Sequence, residues 1–273
     1  MTRTAISAVR DLLVPLFVPG NRPERFEKAA GAGADAVILD LEDAVAIDAK
    51  DEARAALRGG FTNLPMLVRV NGLGTPWHKA DMAALEGKGF SAVILPKAEA
   101  TETFAALCAE SAIPVVALIE SSRGLAEARA IAATANVARI AFGSIDFCAD
   151  LGCAHTREAL LAARSELVLA SRLAGLAAPI DGVTTALDDA ALISDDARHA
   201  RDLGFGGKLC IHPRQIEAIR AGFAPDAAEI FWARRVLASG DGAAAVDGAM
   251  VDEPVRIRAR AILKRAGAEG AAA

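Results

Sequence analysis

Eight short apolar segments, each followed by an amphipathic stretch, are the feature of this sequence that most restricts its fold. Apolar residues run continuously through these segments instead of alternating with polar ones, which is typical of parallel strands covered on both faces. Parallel strands need crossover connections, and the intervening residues 22–34 and 51–60 are amphipathic and carry the glycines that often end helices. The eight segments are residues 12–20, 36–43, 66–71, 92–97, 114–121, 137–146, 178–185 and 207–213.

Eight strand–helix units predict an α/β fold, a (β/α)8 TIM barrel with a C-terminal extension of helices and a lid segment. A doubly wound sheet is the less favoured alternative, because it usually has fewer strands and a glycine-rich turn after the first strand, and no GxGxxG motif is present. We expect residues 1–224 to form the barrel. Residues 225–273 are expected to form the C-terminal helices and lid as part of the same domain.

Charge and composition restrict the possible partners. The formal charge of −5 comes from 30 basic and 35 acidic residues spread along the chain, and aromatic residues make up only 4%. The chain therefore lacks the basic stripe and stacking platforms that nucleic-acid-binding proteins use. No apolar stretch reaches the roughly 20 residues needed to cross a bilayer, and residues 1–13 lack the apolar core of a signal peptide. We expect a cytoplasmic protein without nucleic-acid or membrane partners.

The cysteines form no CxxC pair of the kind that structural zinc sites favour. Cys108, Cys148, Cys153 and Cys210 lie in apolar or helical contexts. We interpret them as reduced core residues, and Cys148 as a packing residue rather than a nucleophile.

Polar residues follow nearly every predicted strand. Because the active site of a TIM barrel lies at the C-terminal ends of its strands, these side chains are the candidates for chemistry. Some of them, Asp181 among them, have helix capping or loop structure as the alternative, and His212 is interpreted as structural. The strand-end residues are Arg22, Asp40, Glu42, Asp43, Arg69, Asn71, Lys97, Glu120, Asp146, Asp181 and His212.

Glu120 and Asp146 are the candidate metal ligands. Glu120 directly follows a buried strand, where a carboxylate needs a cation or a metal to offset its lost hydration. Oxygen ligands from two adjacent strands suit Mg²⁺ or Mn²⁺, with water and substrate oxygens completing the coordination. A structural ion pair with Arg69 or Lys97 is the alternative.

Three acids gather at the end of the second predicted strand. Side chains two positions apart on a strand point to the same face, so Asp40 and Glu42 can share the barrel mouth while Asp43 points away. There they would hydrogen-bond metal-bound waters or orient Arg69 and Lys97. A cluster of salt bridges that only closes the top of the barrel is the alternative, above all for Asp43.

Several motifs together resemble one family. They are "LFVPGNRPERFEKA", "DAVILDLEDAV", "VRVNGLGTPW", "AVILPKAE", "VVALIESSRG", "GSIDFCADLG", "LCIHPRQIEAI" and the late "GAMVDEPV" at 248–255. In this order they are similar to the citrate lyase beta-subunit-like proteins of the HpcH/HpaI aldolase superfamily, a group of CoA-ester lyases. The resemblance covers roughly residues 12–265.

The resemblance implies a TIM barrel that forms homotrimers or homohexamers and binds Mg²⁺, with Mn²⁺ as a possible substitute. It implies that Glu120 and Asp146 bind the metal and that Arg69 holds a substrate oxygen. Asp252 would be the catalytic carboxylate, on a segment that closes over a neighbouring subunit's site, and Arg22 would approach the CoA moiety. The residues expected to bind substrate or cofactor are Arg69, Arg22, Asp40, Glu42 and Lys97.

The implied reaction is the Mg²⁺-dependent cleavage of a 3-hydroxyacyl-CoA, such as citramalyl-, malyl- or citryl-CoA, into a 2-oxo acid and an acyl-CoA. Arg69 would stabilise the thioester enolate and Asp252 would protonate it. A metal-dependent class II aldolase acting on free 2-oxo acids, a non-catalytic CoA- or metabolite-binding subunit, and thioester hydrolysis are the alternatives. The segment 248–255 favours the thioester lyase, because the simple aldolases lack this extension.

One position departs from the family pattern. Relatives commonly carry an acid directly before the aspartate that matches Asp146, whereas this chain has Ile145. The metal ligand is kept, but a partner of the ligand is lost, so the choice of substrate does not transfer from the family.

Overall fold

The computed structural model describes residues 8–240, 244–246 and 248–267. The chain divides into two compact units, Met1–Arg220 and Ala221–Ala273. The expectation that barrel and C-terminal extension form one domain stays a prediction. Across the described ranges, no helix combines the length and apolarity needed to cross a membrane.

The first unit contains a parallel sheet whose strand order follows the sequence from β1 to β8. The sheet closes on itself, because Leu16 bridges Cys210 in parallel and the backbone N–H of Phe17 donates to the Cys210 carbonyl at 2.8 Å. This arrangement confirms the predicted (β/α)8 barrel. The strands are β1 Pro15–Pro19, β2 Ala36–Asp40, β3 Met66–Arg69, β4 Ala92–Leu95, β5 Val115–Ile119, β6 Val137–Phe142, β7 Ile180–Asp181 and β8 Gly207–Lys208.

Helices connect the strands as the amphipathic stretches predicted. Gly152 and Gly204 adopt the left-handed conformation directly after two of these helices, with φ of 71° and 103°, which a glycine does without steric cost. The helices are α1 Phe26–Ala30, α2 Lys50–Ala56, α3 His78–Ala84, α4 Glu102–Glu110, α5 Ser122–Ala126, α6 Ala128–Ala133, α7 Ser144–Leu151, α8 Arg157–Leu173, α9 Ala190–Leu203 and α10 Ile216–Phe223.

The barrel interior is filled by apolar side chains from successive strands. Ile38, Leu67, Ile94, Val116 and Leu118 belong to one buried cluster, and each is at most 2% exposed. Residues of both alternating faces are buried along β2 and β5, which explains why their sequences are continuously apolar. Removing one such leucine or isoleucine side chain from a close-packed core costs about 2–5 kcal/mol.

The seventh and eighth strands are shorter than predicted. Segments 178–185 and 207–213 contribute only two paired residues each, Ile180–Asp181 and Gly207–Lys208. The chain passes very close to its N-terminal part at this point, since a Cβ on Gly207 would lie 2.5 Å from the Leu12 carbonyl oxygen. The backbone N–H of Lys208 donates to the Leu13 carbonyl at 2.8 Å, so this glycine lets the barrel close.

The cysteines are free thiols, as expected. Cys108, Cys148 and Cys210 are buried, which agrees with a packing role. Cys153 is only half-buried, and its Sγ lies 3.7 Å from the Sγ of Cys148.

The second unit has its own small apolar core, formed by residues that include Val236, Ala259 and Ile262. It contains the helices α11 Ala227–Ala238 and α12 Glu253–Arg265 and an antiparallel pair of short strands, β9 Ala244–Val246 and β10 Ala249–Val251. The segment 248–255 therefore covers β10 and the first turn of α12.

Candidate active site

A cavity of about 350 Å³ lies at the C-terminal ends of the barrel strands. Predicted site residues from four different connections line it together, which is the convergence expected of a TIM-barrel mouth. A larger cavity of about 640 Å³ lies against α3 and α4, but its lining is mostly apolar. The strand-end residues that line the mouth cavity are Asp40, Asp43, Arg69, Glu120 and Asp146. The prediction that Asp43 points away from the mouth is therefore wrong, and Glu42 and Lys97 are not among the lining residues.

Asp40 holds Arg69 in one orientation. Arg69 donates to it twice, from Nε to Oδ1 at 2.8 Å and from Nη2 to Oδ2 at 2.6 Å. Asp40 is 1% exposed and also accepts the backbone N–H of Glu42 at 2.9 Å. The Arg69 guanidinium lies 4.9 Å from the centre of the Phe17 ring. Such a two-pronged carboxylate–guanidinium contact fixes both position and angle of the cation.

Three neighbouring carboxylates keep Arg69 positively charged. Burial alone would lower the pKa of Arg69, but the carboxylates of Asp40, Glu42 and Asp43 outweigh burial and raise it. Arg69 therefore supplies a permanent cation at the mouth.

Glu42 and Lys97 form a second pair beside the first. Lys97 Nζ donates to Glu42 Oε1 at 2.7 Å, and Glu42 Oε2 lies 3.1 Å from Arg69 Nη1. Burial raises the pKa of Glu42, and the charges of Arg69 and Lys97 partly offset that effect. Lys97 has φ of 50°, a conformation that costs a non-glycine residue about 1–2 kcal/mol. This backbone turns its N–H toward Glu120 Oε1, to which it donates at 2.8 Å.

Glu120 is a buried carboxylate at the mouth with one unpartnered oxygen. It is 2% exposed, and its buried Oε2 has no hydrogen-bond partner among the described residues. Burial, reinforced by the negative charge of Glu42, raises the pKa of Glu120 to about 8. A nearby cation would offset this cost, and Lys97 Nζ, at 3.7 Å, lies beyond hydrogen-bond distance of Oε1.

Asp146 lies in the first turn of α7 rather than on the sixth strand, which ends at Phe142. The prediction that it comes from a strand is therefore wrong in detail, although the residue still lines the mouth. Its negative charge is close enough to raise the pKa of Glu120 further. Two carboxylates that repel each other, one with an unpartnered buried oxygen, fit a hard divalent cation between them.

Water and substrate would have to supply the other ligands of such a cation. Across residues 8–240, 244–246 and 248–267, no three His, Cys, Asp or Glu side chains are grouped so that they could hold a metal. Mg²⁺ commonly keeps several waters and takes only one or two carboxylates, so the residues present fit this ion.

Gly143 makes room for Glu120. A Cβ at position 143 would lie 2.5 Å from both Cβ and Oε2 of Glu120. We expect Gly143→Ala to displace the Glu120 carboxylate and to weaken Mg²⁺ binding by at least about 10-fold, as seen when the support of a metal ligand is removed. Calorimetric titration with Mg²⁺ measures this. Gly72→Ala is the matched control, because its Cβ would come no closer than 4.0 Å to a neighbouring atom.

Replacing Asp40 and replacing Asp43 are expected to have different effects on kcat. We expect Asp40→Asn to lower kcat about 10–100-fold, because Arg69 loses its charged two-pronged partner. Asp43 is exposed and lies 3.5 Å from Arg69, so Asp43→Asn should change kcat less than about 3-fold. Steady-state kinetics of the two variants measures this difference in kcat. An equal loss of kcat in both variants would show that Asp40 has no special role in positioning Arg69.

Two further predicted residues are not among the residues that line the mouth cavity. Arg22 is exposed, donates to Glu24 Oε1 at 2.7 Å and is not among the residues that line the mouth cavity. Asp252 belongs to the second unit, where it precedes α12 and accepts the backbone N–H of Val255 at 3.3 Å. The described contacts of Asp252 are thus those of a helix cap.

Asp181 differs from both interpretations made for it. It is completely buried, and it accepts hydrogen bonds from Arg164 Nε and Lys208 Nζ at 2.9 Å each. It neither caps a helix nor lies in a loop, because its partners come from α8 and β8 and hold three elements together. His212 accepts the backbone N–H of Arg214 at 3.2 Å, in agreement with a structural role.

Sequence reasoning missed Lys50, Gly143 and the apolar lining. Lys50 is buried, and its Nζ donates to the Leu41 and Glu42 carbonyls at 2.7 Å each, which fixes the turn after β2. A lysine directly before the amphipathic stretch 51–60 gives no sign of this contact. The signal for Gly143 was its position directly after an apolar run and three residues before Asp146.

The fold and the mouth together define a class of protein: a TIM-barrel enzyme with a fixed arginine and a carboxylate pair at the C-terminal ends of its strands. The model of the family HpcH/HpaI aldolase/citrate lyase matches residues 13–213. A citrate lyase subunit beta-like protein of Mycobacterium tuberculosis is 40% identical over 267 residues, covering 92% of this chain and 94% of the relative. The chain belongs to the HpcH/HpaI aldolase/citrate lyase family, and it is accordingly a lyase of the CoA-ester lyase group.

Two further relatives are informative. A (3S)-malyl-CoA thioesterase of Cereibacter sphaeroides is 37% identical over 270 residues, covering 93% of this chain and 94% of the relative. The crystal structure of CitE from Mycobacterium tuberculosis with magnesium, acetoacetate and coenzyme A has a TM-score of 0.86 and 39% identity, covering 95% of this chain and 100% of that one. The family resemblance read from the sequence is therefore confirmed.

Proposed function

We propose that the protein cleaves the carbon–carbon bond of a 3-hydroxyacyl-CoA that carries a carboxylate on its hydroxyl-bearing carbon. The products are a 2-oxo acid and an acyl-CoA. The observation that carries the proposal is the buried, unpartnered Oε2 of Glu120, which lies in one cavity with Asp146 and with the fixed guanidinium of Arg69. A metal ligand and a permanent cation are thus available to the same small substrate.

Magnesium is the metal that the proposal requires. CitE from Mycobacterium tuberculosis has been crystallised with magnesium and pyruvate, and with magnesium and acetoacetate. In this chain Glu120 and Asp146 would hold the ion, because they provide the oxygen donors that suit it. Bound Mg²⁺ supplies positive charge that stabilises negative charge on a substrate oxygen.

Arg69 would act on the second product. When the bond next to the hydroxyl-bearing carbon breaks, the hydroxyl proton passes to solvent water and that carbon becomes the carbonyl of the 2-oxo acid. The electron pair of the bond stays with the acyl-CoA as an enolate. Arg69 stays charged and is fixed by Asp40, so it offers this enolate a preorganised cation. Glu42 and Lys97 pair with each other, so each would offset the charge that the other adds beside Arg69.

Asp252 is the proposed proton donor to the enolate. We expect Asp252→Asn to lower kcat at least about 100-fold while leaving Mg²⁺ affinity unchanged, because asparagine keeps the helix cap but carries no acidic proton. Parallel kinetics and Mg²⁺ titration test this. Asp226→Asn, at the start of α11, removes an acid from a similar cap and should keep wild-type kcat. Loss of Mg²⁺ affinity in Asp252→Asn would instead assign this residue a structural or metal-binding role.

Thioester hydrolysis is a second candidate activity. It is favoured by the (3S)-malyl-CoA thioesterase of Cereibacter sphaeroides, which is 37% identical to this chain. Hydrolysis releases free thiol, whereas carbon–carbon cleavage alone does not. Arg22 would approach the CoA moiety in either reaction. We also propose that the protein is cytoplasmic and forms a homotrimer or homohexamer. Light scattering would measure the size of this assembly.

The function is tested by incubating the purified protein with citryl-, citramalyl- and malyl-CoA and following 2-oxo acid. We expect release that requires Mg²⁺ and stops when a chelator removes it. Cleavage of free hydroxy-oxo acids without cleavage of any thioester would support the aldolase alternative. Binding of CoA without any turnover would support a non-catalytic role.

A further inference from the structure

We infer that an apolar wall at the barrel mouth selects the substituent on the hydroxyl-bearing carbon of the substrate. This inference rests on the proposed function and narrows its substrate class. In the candidate thioesters that substituent is a hydrogen in malyl-CoA, a methyl group in citramalyl-CoA and a carboxymethyl group in citryl-CoA. The wall admits hydrogen or a small alkyl group and disfavours the additional carboxylate.

The mouth cavity has two chemically different sectors. Its charged side chains Asp40, Arg69 and Glu120 come from β2, β3 and the end of β5. Because neighbouring strands in the sequence are neighbours in the closed barrel, these residues share one side of the mouth. The remaining strands, from β6 through β8 to β1, contribute the apolar wall, Phe17, Phe142, Ile145, Val183, Leu209 and Ile211. Ser144 also lines this part of the cavity, and its Oγ lies 2.9 Å from His155 Nε2.

The wall lacks a free cation for an additional carboxylate. Arg69 is the only positively charged residue among the described residues that line this cavity, and Asp40 already holds it twice. Lys208, on β8, is fully buried and donates to Asp181 at 2.9 Å. The charged lining residue on this side is Asp146, which would repel a carboxylate.

Two isoleucines at the rim indicate what the wall is built to contact. Ile145 and Ile211 each keep 40% of their surface exposed although they line the cavity. An alkyl group placed against them removes apolar surface from water and is favourable. A carboxylate placed there loses hydration without gaining a cationic partner, and discrimination of at least about 10-fold follows.

The test compares binding of the two 2-oxo acid products, which does not depend on turnover. Calorimetry of the full-length protein with Mg²⁺ is expected to give pyruvate a Kd at least about 10-fold lower than that of oxaloacetate. Ile211→Arg, which places a cation on the wall, should bring the two Kd values together. Ile211→Met keeps the wall apolar and should preserve the preference, as should Leu169→Arg, which adds the same cation at an exposed position of α8 outside the cavity.

Turnover separates this inference from the proposed function. Faster cleavage of citramalyl-CoA than of citryl-CoA, by kcat/KM, supports both. If no thioester is cleaved but pyruvate still binds more tightly than oxaloacetate, the proposed function is overturned and the inference about the apolar wall stands. The inference about the apolar wall would be contradicted if the wild type bound oxaloacetate as tightly as pyruvate or more tightly. It would also be contradicted if Ile211→Arg left the preference for pyruvate unchanged.

Discussion

Replacing Glu120 with glutamine is expected to lower Mg²⁺-dependent release of 2-oxo acid by about 1,000-fold. Glutamine keeps the size of the side chain and can still accept the backbone N–H of Lys97. It removes the negative charge that we propose binds Mg²⁺, and the loss of several kcal/mol of charge stabilisation corresponds to this factor. Mg²⁺ affinity should fall in the same variant.

Kinetics and calorimetric titration together check this expectation. Glu166→Gln is the matched control, because Glu166 pairs with Arg129 on the outside of the barrel and is not among the lining residues of the mouth. It should keep both wild-type Mg²⁺ affinity and wild-type kcat. Unchanged turnover in Glu120→Gln would show that Glu120 is a buried structural acid and not a metal ligand.

Replacing Asp181 with asparagine is expected to lower the free energy of unfolding by about 3–5 kcal/mol, the usual cost of breaking a buried ion pair from one side. The variant leaves Arg164 and Lys208 without their shared counter-charge, and both are at most 4% exposed. Urea denaturation measures the change. Asp188→Asn is the control, since Asp188 pairs with Arg214 at the surface and such pairs contribute about 0–1 kcal/mol.

Asp181 also makes the stability of the protein depend on pH. Burial alone would raise the pKa of Asp181, but the charges of Lys208 and Arg164 outweigh it and lower the pKa. The stability that Asp181 contributes is therefore fully present above its unfolded-state pKa of about 4 and is lost as the pH falls toward the lower folded value. The wild type should lose more stability than Asp181→Asn below about pH 4, and identical slopes would contradict the assignment.

The strand pattern and the position of the mouth could be predicted because both depend on local features. Continuous apolar runs mark buried parallel strands, and Glu120 and Arg69 stand where such runs end. The grouping of Asp40, Arg69 and Glu120 then followed from the rule that TIM-barrel strands end at a common face.

Contacts between distant parts of the chain could not be predicted in this way. Asp181 stands at a strand end like Glu120, yet its partners Arg164 and Lys208 lie 17 and 27 residues away in the sequence and take it into the interior. Asp146 continues an apolar run in the sequence, but the chain turns at Gly143 and begins a helix there. In both cases tertiary packing decided what local pattern left open.

Product analysis of a single reaction tests the central claim most directly. The purified protein is incubated with Mg²⁺ and citramalyl-CoA, and all four possible products are quantified by mass spectrometry. We predict equal amounts of pyruvate and acetyl-CoA, with neither citramalate nor free CoA in excess of the uncatalysed rate. Free CoA with citramalate, and no pyruvate, would show hydrolysis of the thioester and would contradict carbon–carbon cleavage at this site.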